Sequence, residues 1–372
     1  MGQDKSMKKI VFILLSALSI LGKCHAGNSQ GAYEAMFTFG DSLSDTGNYV
    51  GFHDPSDIEV LNKLPYGKTF FGKPTGRFCD GRIILDFIAE AYGLPFVPPY
   101  ADVIHGKVQN IRQGVNFAVA GATALDANFI LSKRNQKPIK TMESLDVQVG
   151  WFKKLKPSLC SNEQDCARLF KKSLFFVGEI GGNDLGLLGF NFSTAGETIP
   201  LIVEAITNAT ITLIEEGAVH LVVPGNPPMG CTAGFIKSGL SKDQYDSRGC
   251  FKRLNTLVEL ENKEIKQAVS ELKKKYPHVT ITFFDYYGAA NQFYDAPQKY
   301  GFSEMLKPCF VAKACNDTAK TYTCGFLCEN PATYTNWDGA HYTEAAYKII
   351  AQSVIDGHFS HPPLKHPLKK IA

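Results

Sequence analysis

The chain has 372 residues, 44% hydrophobic, 12% aromatic and 20% charged, with a formal net charge of +3. That is the composition of a globular protein with ample material for one large core. A charge so close to balance, from lysines and arginines that are scattered rather than striped, excludes a nucleic-acid footprint.

The first element in chain order is a targeting segment. Lys5, Lys8 and Lys9 precede an apolar run from Ile10 to Leu21, followed by Cys24-His25-Ala26. A basic start, a short greasy middle and small residues at the end predict a secretory signal peptide over 1–26, cut after Ala26, with one mature domain over 27–372. The run is shorter than the roughly 20 residues a helix needs to span a bilayer, and no later stretch is expected to anchor the chain, so a soluble secreted protein is expected. Gly27-Asn28-Ser29-Gln30-Gly31 fits G-x-S-x-G, but it lies at the cleavage site with no strand before it and fails on context.

The run 35–39 (AMFTF) predicts the first strand, and Ser42 follows it directly. At such a strand-to-helix turn, backbone N–H groups can face an anion. Asp45 and Asn48, slightly further on, are expected to support the turn rather than react. Gly67 to Lys73 resembles a P-loop until Pro74 occupies the Ser/Thr position, and no strand feeds it. A helix is expected over Ile83–Ala91, then a second strand over 115–119 (VNFAV), with Gly114 before it and Gly121 after it.

The third strand, 174–180 (LFFVGEI), runs into Glu179, Gly181, Gly182, Asn183 and Asp184; a helix over Ile199–Glu216, a fourth strand over 219–223, a helix over Leu254–Lys275 and a fifth strand over 279–285 follow. The runs are near-continuous in Val, Ile, Phe and Leu, as expected for strands covered on both faces. Alternation of strand and helix predicts a single doubly wound α/β domain with a parallel sheet. Sites in such sheets collect at the carboxyl ends of the strands, where Ser42 and Asn183 both lie.

Cysteines and sequons fit secretion. Of ten cysteines, Cys24 leaves with the signal, and nine remain. An oxidising compartment favours the local pairs Cys160–Cys166 and Cys231–Cys250. Cys309, Cys315, Cys324 and Cys328 leave three connectivities open, and Cys79 is the expected free thiol. The spacing of the last four is poor for zinc. Asn191, Asn208 and Asn316 head N-x-S/T sequons and are expected as glycosylated positions in exposed loops. His358, His361 and His366 sit in a Pro- and Lys-rich tail expected to be solvated and mobile.

A serine hydroxyl is a feeble nucleophile without a base to take its proton. Among nine histidines, His341 stands out, because Asp338 lies three residues ahead, within reach of its Nδ1–H. Thr343 reads as the N-cap of a helix with Ala346, Ile349, Ile350 and Val354 on its buried stripe, a rigid mount for the histidine. Taken singly, Ser42, Asn183 and the Asp-x-x-His segment are ordinary turn residues. Together they could meet at one edge of one sheet.

That combination, in that order, resembles the GDSL (SGNH) esterase and lipase family, in particular its plant secreted branch. The likeness runs from FTFGDSLSDTGN through GKPTGRFCDGR, GVNFAVAGATALD, FFVGEIGGND and VVPGNPPMGC to NWDGAHYTEAAY. It implies a flavodoxin-like three-layer α/β/α sandwich with a five-stranded parallel sheet. It also implies Ser42 as nucleophile, Asp338 and His341 as the other triad members, and an oxyanion hole from Ser42, Asn183 and the glycine of the second block, Gly121 or Gly114. Cys79 departs from the serine common in relatives, and Leu185 from a frequent tyrosine beside the expected substrate pocket. The implied activity is hydrolysis of a small-molecule carboxylic ester by a monomer without metal or organic cofactor, in the extracellular space or cell wall, with the vacuole as the other compartment. The run GVNFAVAGATALD looks much like that of alkaloid-deacetylating members, so a small acyl ester, such as an acetyl ester of a plant specialised metabolite, is the expected substrate. The other readings are a lipase for longer acyl esters, an acyltransferase using the same acyl-serine, and a non-catalytic secreted binder.

Overall fold

The computed structural model describes residues 32–54, 58–133, 143–187, 192–236, 241–313, 325–365 and 367. The expected signal segment, Asn191, Asn316, Cys315, Cys324 and His366 lie outside the described residues.

Four parallel strands form the centre: β1 (Ala35–Thr38), β2 (Ser173–Phe176), β3 (His220–Pro224) and β4 (Thr280–Phe284), adjacent in that order. Side chains alternate between the two faces with the two-residue period of a strand. Phe37, Phe175, Leu221, Val223, Ile281 and Phe283 join one core with the helices Leu145–Leu159, Phe192–Glu215 and Lys252–Lys275. Met36, Leu174, Phe176, Val222 and Phe284 join the other with the helices Ile84–Tyr92, Tyr286–Asp295 and Glu344–Ile355. Both faces are covered, which is why the strands read as unbroken apolar runs.

The five-stranded parallel sheet needs one correction. The segment 115–119 lies parallel beside β1, with the Thr38 N–H donating to the Val115 carbonyl (3.1 Å) and the Phe117 N–H to the Thr38 carbonyl (2.7 Å). It makes only single-residue bridges, however, from Asn116 to Thr38 and to Pro99. Gly114, at φ 125°, turns the backbone just before it. The Gly40 N–H, which would continue the ladder to the Phe117 carbonyl, goes to Gln148 Oε1 instead (2.8 Å), so side-chain bonding replaces part of the ladder. The fifth strand of the sheet comes from the tail instead. Two short pairs intervene, β5 (Glu304–Pro308) with β8 (Tyr334–Asn336) and β6 (Phe310–Ala312) with β7 (Gly325–Leu327), and then β9 (Ser360–His361) pairs antiparallel with β4.

The tail is therefore not a free end over these residues. Leu364 is buried, the Tyr92 hydroxyl donates to the Lys365 carbonyl (2.5 Å), and Lys365 Nζ lies 2.8 Å from His220 Nε2. The expectation of no further anchor-like stretch also changes: Gly196–Glu215 has the length and mean hydropathy (1.3) of a membrane span. Ile199, Ile202, Ile206 and Leu213 on that helix are buried in the first core. Asn208 is exposed, but on that same helix rather than in a loop.

Cys160–Cys166 and Cys231–Cys250 pair as expected, Cys309 pairs with Cys328, and Cys79 is free and buried.

Candidate active site

Counting the bridged segment 115–119 as the second strand, the spatial order across the parallel part is 2-1-3-4-5, with the chain direction of travel reversing at β1. Crevices in open α/β sheets form at that reversal, outside the carboxyl ends of the strands. The turn after β1, the loop after 115–119 and the loop after β2 meet there.

Close backbone approach brings the first and third together. The Phe39 N–H donates to the Phe176 carbonyl (2.9 Å) and the Asp41 N–H to the Glu179 carbonyl (3.1 Å). Gly178, at φ 86°, lies against Phe39 and Gly40, and a methyl there would overlap the Phe39 carbonyl. Gln148 pins the turn from the side, its Oε1 accepting from the Gly40 N–H (2.8 Å) and its Nε2 donating to the Gly40 carbonyl (2.9 Å). Asp41 closes the turn by accepting the Leu43 N–H on Oδ1 (2.9 Å) and the Ser44 N–H on its carbonyl (3.1 Å).

Asp45 supports the turn as expected, its carboxylate accepting the N–H groups of Gly47 (2.7 Å), Asn48 (2.7 Å), Tyr49 (2.9 Å) and Ala120 (2.9 Å). The last of these ties the Ser42 turn to the neighbouring loop. Asn48 Nδ2 donates to the carbonyls of Asn116 and Ala118, both at 2.8 Å, adding a second tie.

Asp338 and His341 arrive on the turn between β8 and the helix Glu344–Ile355. The Trp337 N–H donates to the His341 carbonyl (2.7 Å) and the Thr343 N–H to the Thr335 carbonyl (3.0 Å), closing the turn. Thr343 caps the helix, accepting the Ala346 N–H (3.3 Å), and Ala346, Ile350 and Val354 are buried beneath it while Ile349 is half-buried. The block around Cys79 clamps this mount. Arg82 Nη2 meets Glu344 Oε1 at 2.8 Å, and the Glu344 N–H donates to Asp80 Oδ1 at 2.8 Å. Residues 262 or more apart in the chain thus fix where His341 stands.

His341 Nε2 lies 2.8 Å from Ser42 Oγ, and His341 Nδ1 lies 2.8 and 2.9 Å from the two carboxylate oxygens of Asp338. Burial by itself disfavours charge on either partner, yet each favours the other's charged form. Asp338 is held below its usual range by His341 and by the Ala340 and His341 N–H groups, despite burial. His341 is raised, because Asp338 and, further off, Asp41 outweigh its own desolvation. This is the arrangement in which an imidazole can take a hydroxyl proton and hold it.

Asn183 opens the helix Gly182–Leu187 after β2. Its Nδ2 donates to the Ala122 carbonyl (2.9 Å) and, at longer range, to Asp41 Oδ2 (3.2 Å). Its neighbour Asp184 is buried and accepts the N–H groups of Ala124 (2.9 Å) and Leu125 (3.0 Å), so the loop 119–125 is fastened to that helix. Gly121, at φ 82°, sits in this loop between the engaged amides of Ala120 and Ala122. Among the described residues, the N–H groups of Ser42 and Gly121 have no protein acceptor. Gly114 lies elsewhere, packed on the Met36 backbone at the opposite end of β1. Leu185 is buried in the first core, not in an open pocket wall.

Three features had no sequence signal. Asp41, Glu179 and Asp184 are buried carboxyl groups that meet at the turn, and burial raises each to about 7. Glu179 accepts the Ser44 hydroxyl. Phe78 lies over the His341 ring, centroids 4.9 Å apart. Tyr66 donates its hydroxyl to Asp338 Oδ2 (3.0 Å) from a loop 272 residues earlier. Among the described residues, no group of three or more His, Cys, Asp or Glu is arranged to hold a metal ion.

The GDSL-like lipase/acylhydrolase family model matches residues 36–354. A GDSL esterase/lipase of Arabidopsis thaliana is 46% identical over 348 residues, covering 89% of this chain and 92% of that protein. A sinapine esterase of Brassica napus is 39% identical over 372 residues, covering 96% of this chain and 94% of that protein. Among solved structures, an acetyl xylan esterase variant of Geobacillus stearothermophilus covers 90% of this chain and 98% of its own at 13% identity and a TM-score of 0.38, a likeness too slight to build on.

Proposed function

Because the chain belongs to the GDSL-like lipase/acylhydrolase family and is a carboxylic-ester hydrolase, we propose that it is a secreted serine esterase working through an acyl-Ser42 intermediate. The observation that carries this is the 2.8 Å approach of His341 Nε2 to Ser42 Oγ across 299 positions of chain, with Asp338 on the other imidazole nitrogen.

His341 Nε2 takes the hydroxyl proton as Ser42 Oγ bonds to the ester carbonyl carbon, whose π electrons move onto oxygen. The N–H groups of Ser42 and Gly121 and the Asn183 amide meet that oxyanion. As the carbonyl re-forms, the ester C–O bond breaks and the alcohol leaves with the proton from His341. Water then repeats the sequence and releases the acid, with Asp338 steadying the imidazolium in both halves. No step calls for a metal or an organic cofactor.

The substrate we infer is a small acyl ester, such as an acetyl ester, of a plant specialised metabolite. The match to a protein named for action on sinapine supports a discrete small molecule as the target. Three disulfides among the described residues support passage through an oxidising secretory route, and the exposed Asn208 is an available sequon.

A fluorophosphonate probe tests the core of the proposal. Labelling that disappears in Ser42→Ala supports the acyl-serine route, and a silent wild type overturns it in favour of a binding protein. Product analysis on a labelled ester, with and without an acceptor alcohol, separates hydrolysis from acyl transfer. Rates across acyl lengths separate a small-acyl esterase from a lipase.

A further inference from the structure

We propose that Tyr66 is a positioning residue for the acid–base pair, acting through Asp338 to hold the carboxylate in register and to set the pH at which His341 becomes a base. This rests on the serine-esterase reading above. Asp338 has two carboxylate oxygens with unequal duties. Oδ1 accepts the Ala340 N–H (2.9 Å), the His341 N–H (3.0 Å) and the nearer approach of His341 Nδ1 (2.8 Å). Oδ2 has His341 Nδ1 at 2.9 Å and one further donor, the Tyr66 hydroxyl at 3.0 Å. Without Tyr66, Oδ2 faces the imidazole alone, and nothing on that side opposes rotation of the carboxylate about its Cβ–Cγ bond.

The surroundings hold that hydroxyl in place. Tyr66 is buried, and its ring stands edge-on to Trp337 and to Phe310, both at 5.7 Å, which stack on each other at 5.5 Å. Trp337 precedes Asp338 directly, and its carbonyl accepts the Phe310 N–H (2.7 Å) beside the Cys309–Cys328 bridge. The following residue, Gly67, donates its N–H to the Cys79 carbonyl (3.0 Å). A phenylalanine would fill the same aromatic slot. The hydroxyl is needed only for Asp338.

Burial and the adjacent carboxylate both push the Tyr66 phenol well above its ordinary range, so it remains an O–H donor at every working pH. A neutral donor to a carboxylate draws off part of its charge and lowers its pull on the imidazolium proton. The other groups facing the pair are Ser42 and Asp41 from the nucleophile turn, Cys79 near Tyr66, and Tyr347 from the helix Glu344–Ile355. Among these, Tyr66 is the one whose side chain donates to Asp338 in the resting protein.

The experiment follows the rate of fluorophosphonate labelling and of p-nitrophenyl acetate turnover against pH in wild type and Tyr66→Phe. The expected result is a kcat about 5- to 30-fold lower, KM within about twofold, and an acid limb displaced to higher pH by about 0.5 unit or more. In an Asp338→Ala background the same change is expected to have almost no effect, because its target is gone. Replacing Tyr66 by a fluorinated tyrosine, a stronger donor of nearly the same shape, is expected to move the acid limb the other way, and it serves if Tyr66→Phe folds poorly. An unmoved acid limb in both variants, or an equal loss with and without the Asp338 carboxylate, overturns the proposal. A wild type that takes no label fails the esterase reading itself, a result distinct from labelling that ignores Tyr66.

Discussion

Asn183→Ala removes two N–H donors and one carbonyl from the crevice, and the geometry says what each was worth. The shorter hydrogen bond, 2.9 Å to the Ala122 carbonyl, holds the loop that carries Gly121; the longer, 3.2 Å to Asp41 Oδ2, is the one that the proposed mechanism exchanges for an oxyanion. A well-aimed oxyanion donor contributes about 2.7–4 kcal/mol to the transition state, so kcat is expected to fall roughly 10²–10³-fold. Loss of the two resting hydrogen bonds, about 1 kcal/mol each and partly replaced by water at this half-buried position, is expected to lower Tm by only a few degrees. Steady-state turnover of p-nitrophenyl acetate with parallel thermal melting separates the two. KM is expected to change little, because the donor strengthens its bond only as negative charge develops. A fall in kcat of less than threefold in a folded variant would remove Asn183 from the oxyanion site and leave it only as a clasp on Ala122.

Two further outcomes follow from groups packed beneath the turn. Burial raises Asp41, Glu179 and Asp184 to about 7 and Asp45 to about 6, so the folded state keeps protons that the unfolded chain gives up from about pH 4. Their contribution to stability is therefore fully present below the unfolded values and is lost as pH rises through 6 to 7, and raised His341 acts in the same direction. Tm is expected to be higher at pH 5 than at pH 8, and melting curves that rise over that interval would contradict the assignment. Gly178→Ala drives a methyl into the Phe39 carbonyl at a positive φ, so soluble yield or Tm is expected to collapse, and a variant that melts like wild type would show that β1 and β2 need no such approach.

The sheet was legible because its strands are covered on both faces and the helices between them carry apolar stripes. Segment 115–119 has the same apolar look, but hydrophobicity cannot report that Gly114 and the Gln148 side chain interrupt its ladder with β1. The β9 strand was hidden for the opposite reason: Ser360-His361 has little apolar content, and Leu364 and Lys365 show their partners only after Tyr92 and His220 fold beside them. In the site, Ser42, Asn183 and the Asp338–His341 pair could be found, since each sits at a strand or helix end beside its turn residues. Tyr66 could not be found, because its relation to Asp338 exists only in space, and a tyrosine after Leu64-Pro65 looks like any loop aromatic. The Glu344 clamp on Arg82 and Asp80 is another long-range pairing of this kind.

The wide spacing of the reacting pair has a consequence in time. In the acyl-serine mechanism proposed above, Ser42 leaves the ribosome 299 positions before the imidazole that takes its proton. Until His341 is made, that hydroxyl lacks the base a serine needs in order to react. In that mechanism reactivity waits for the late helix to dock on the early Arg82 and Asp80, so a half-made copy lacking His341 would have no base with which to attack an ester.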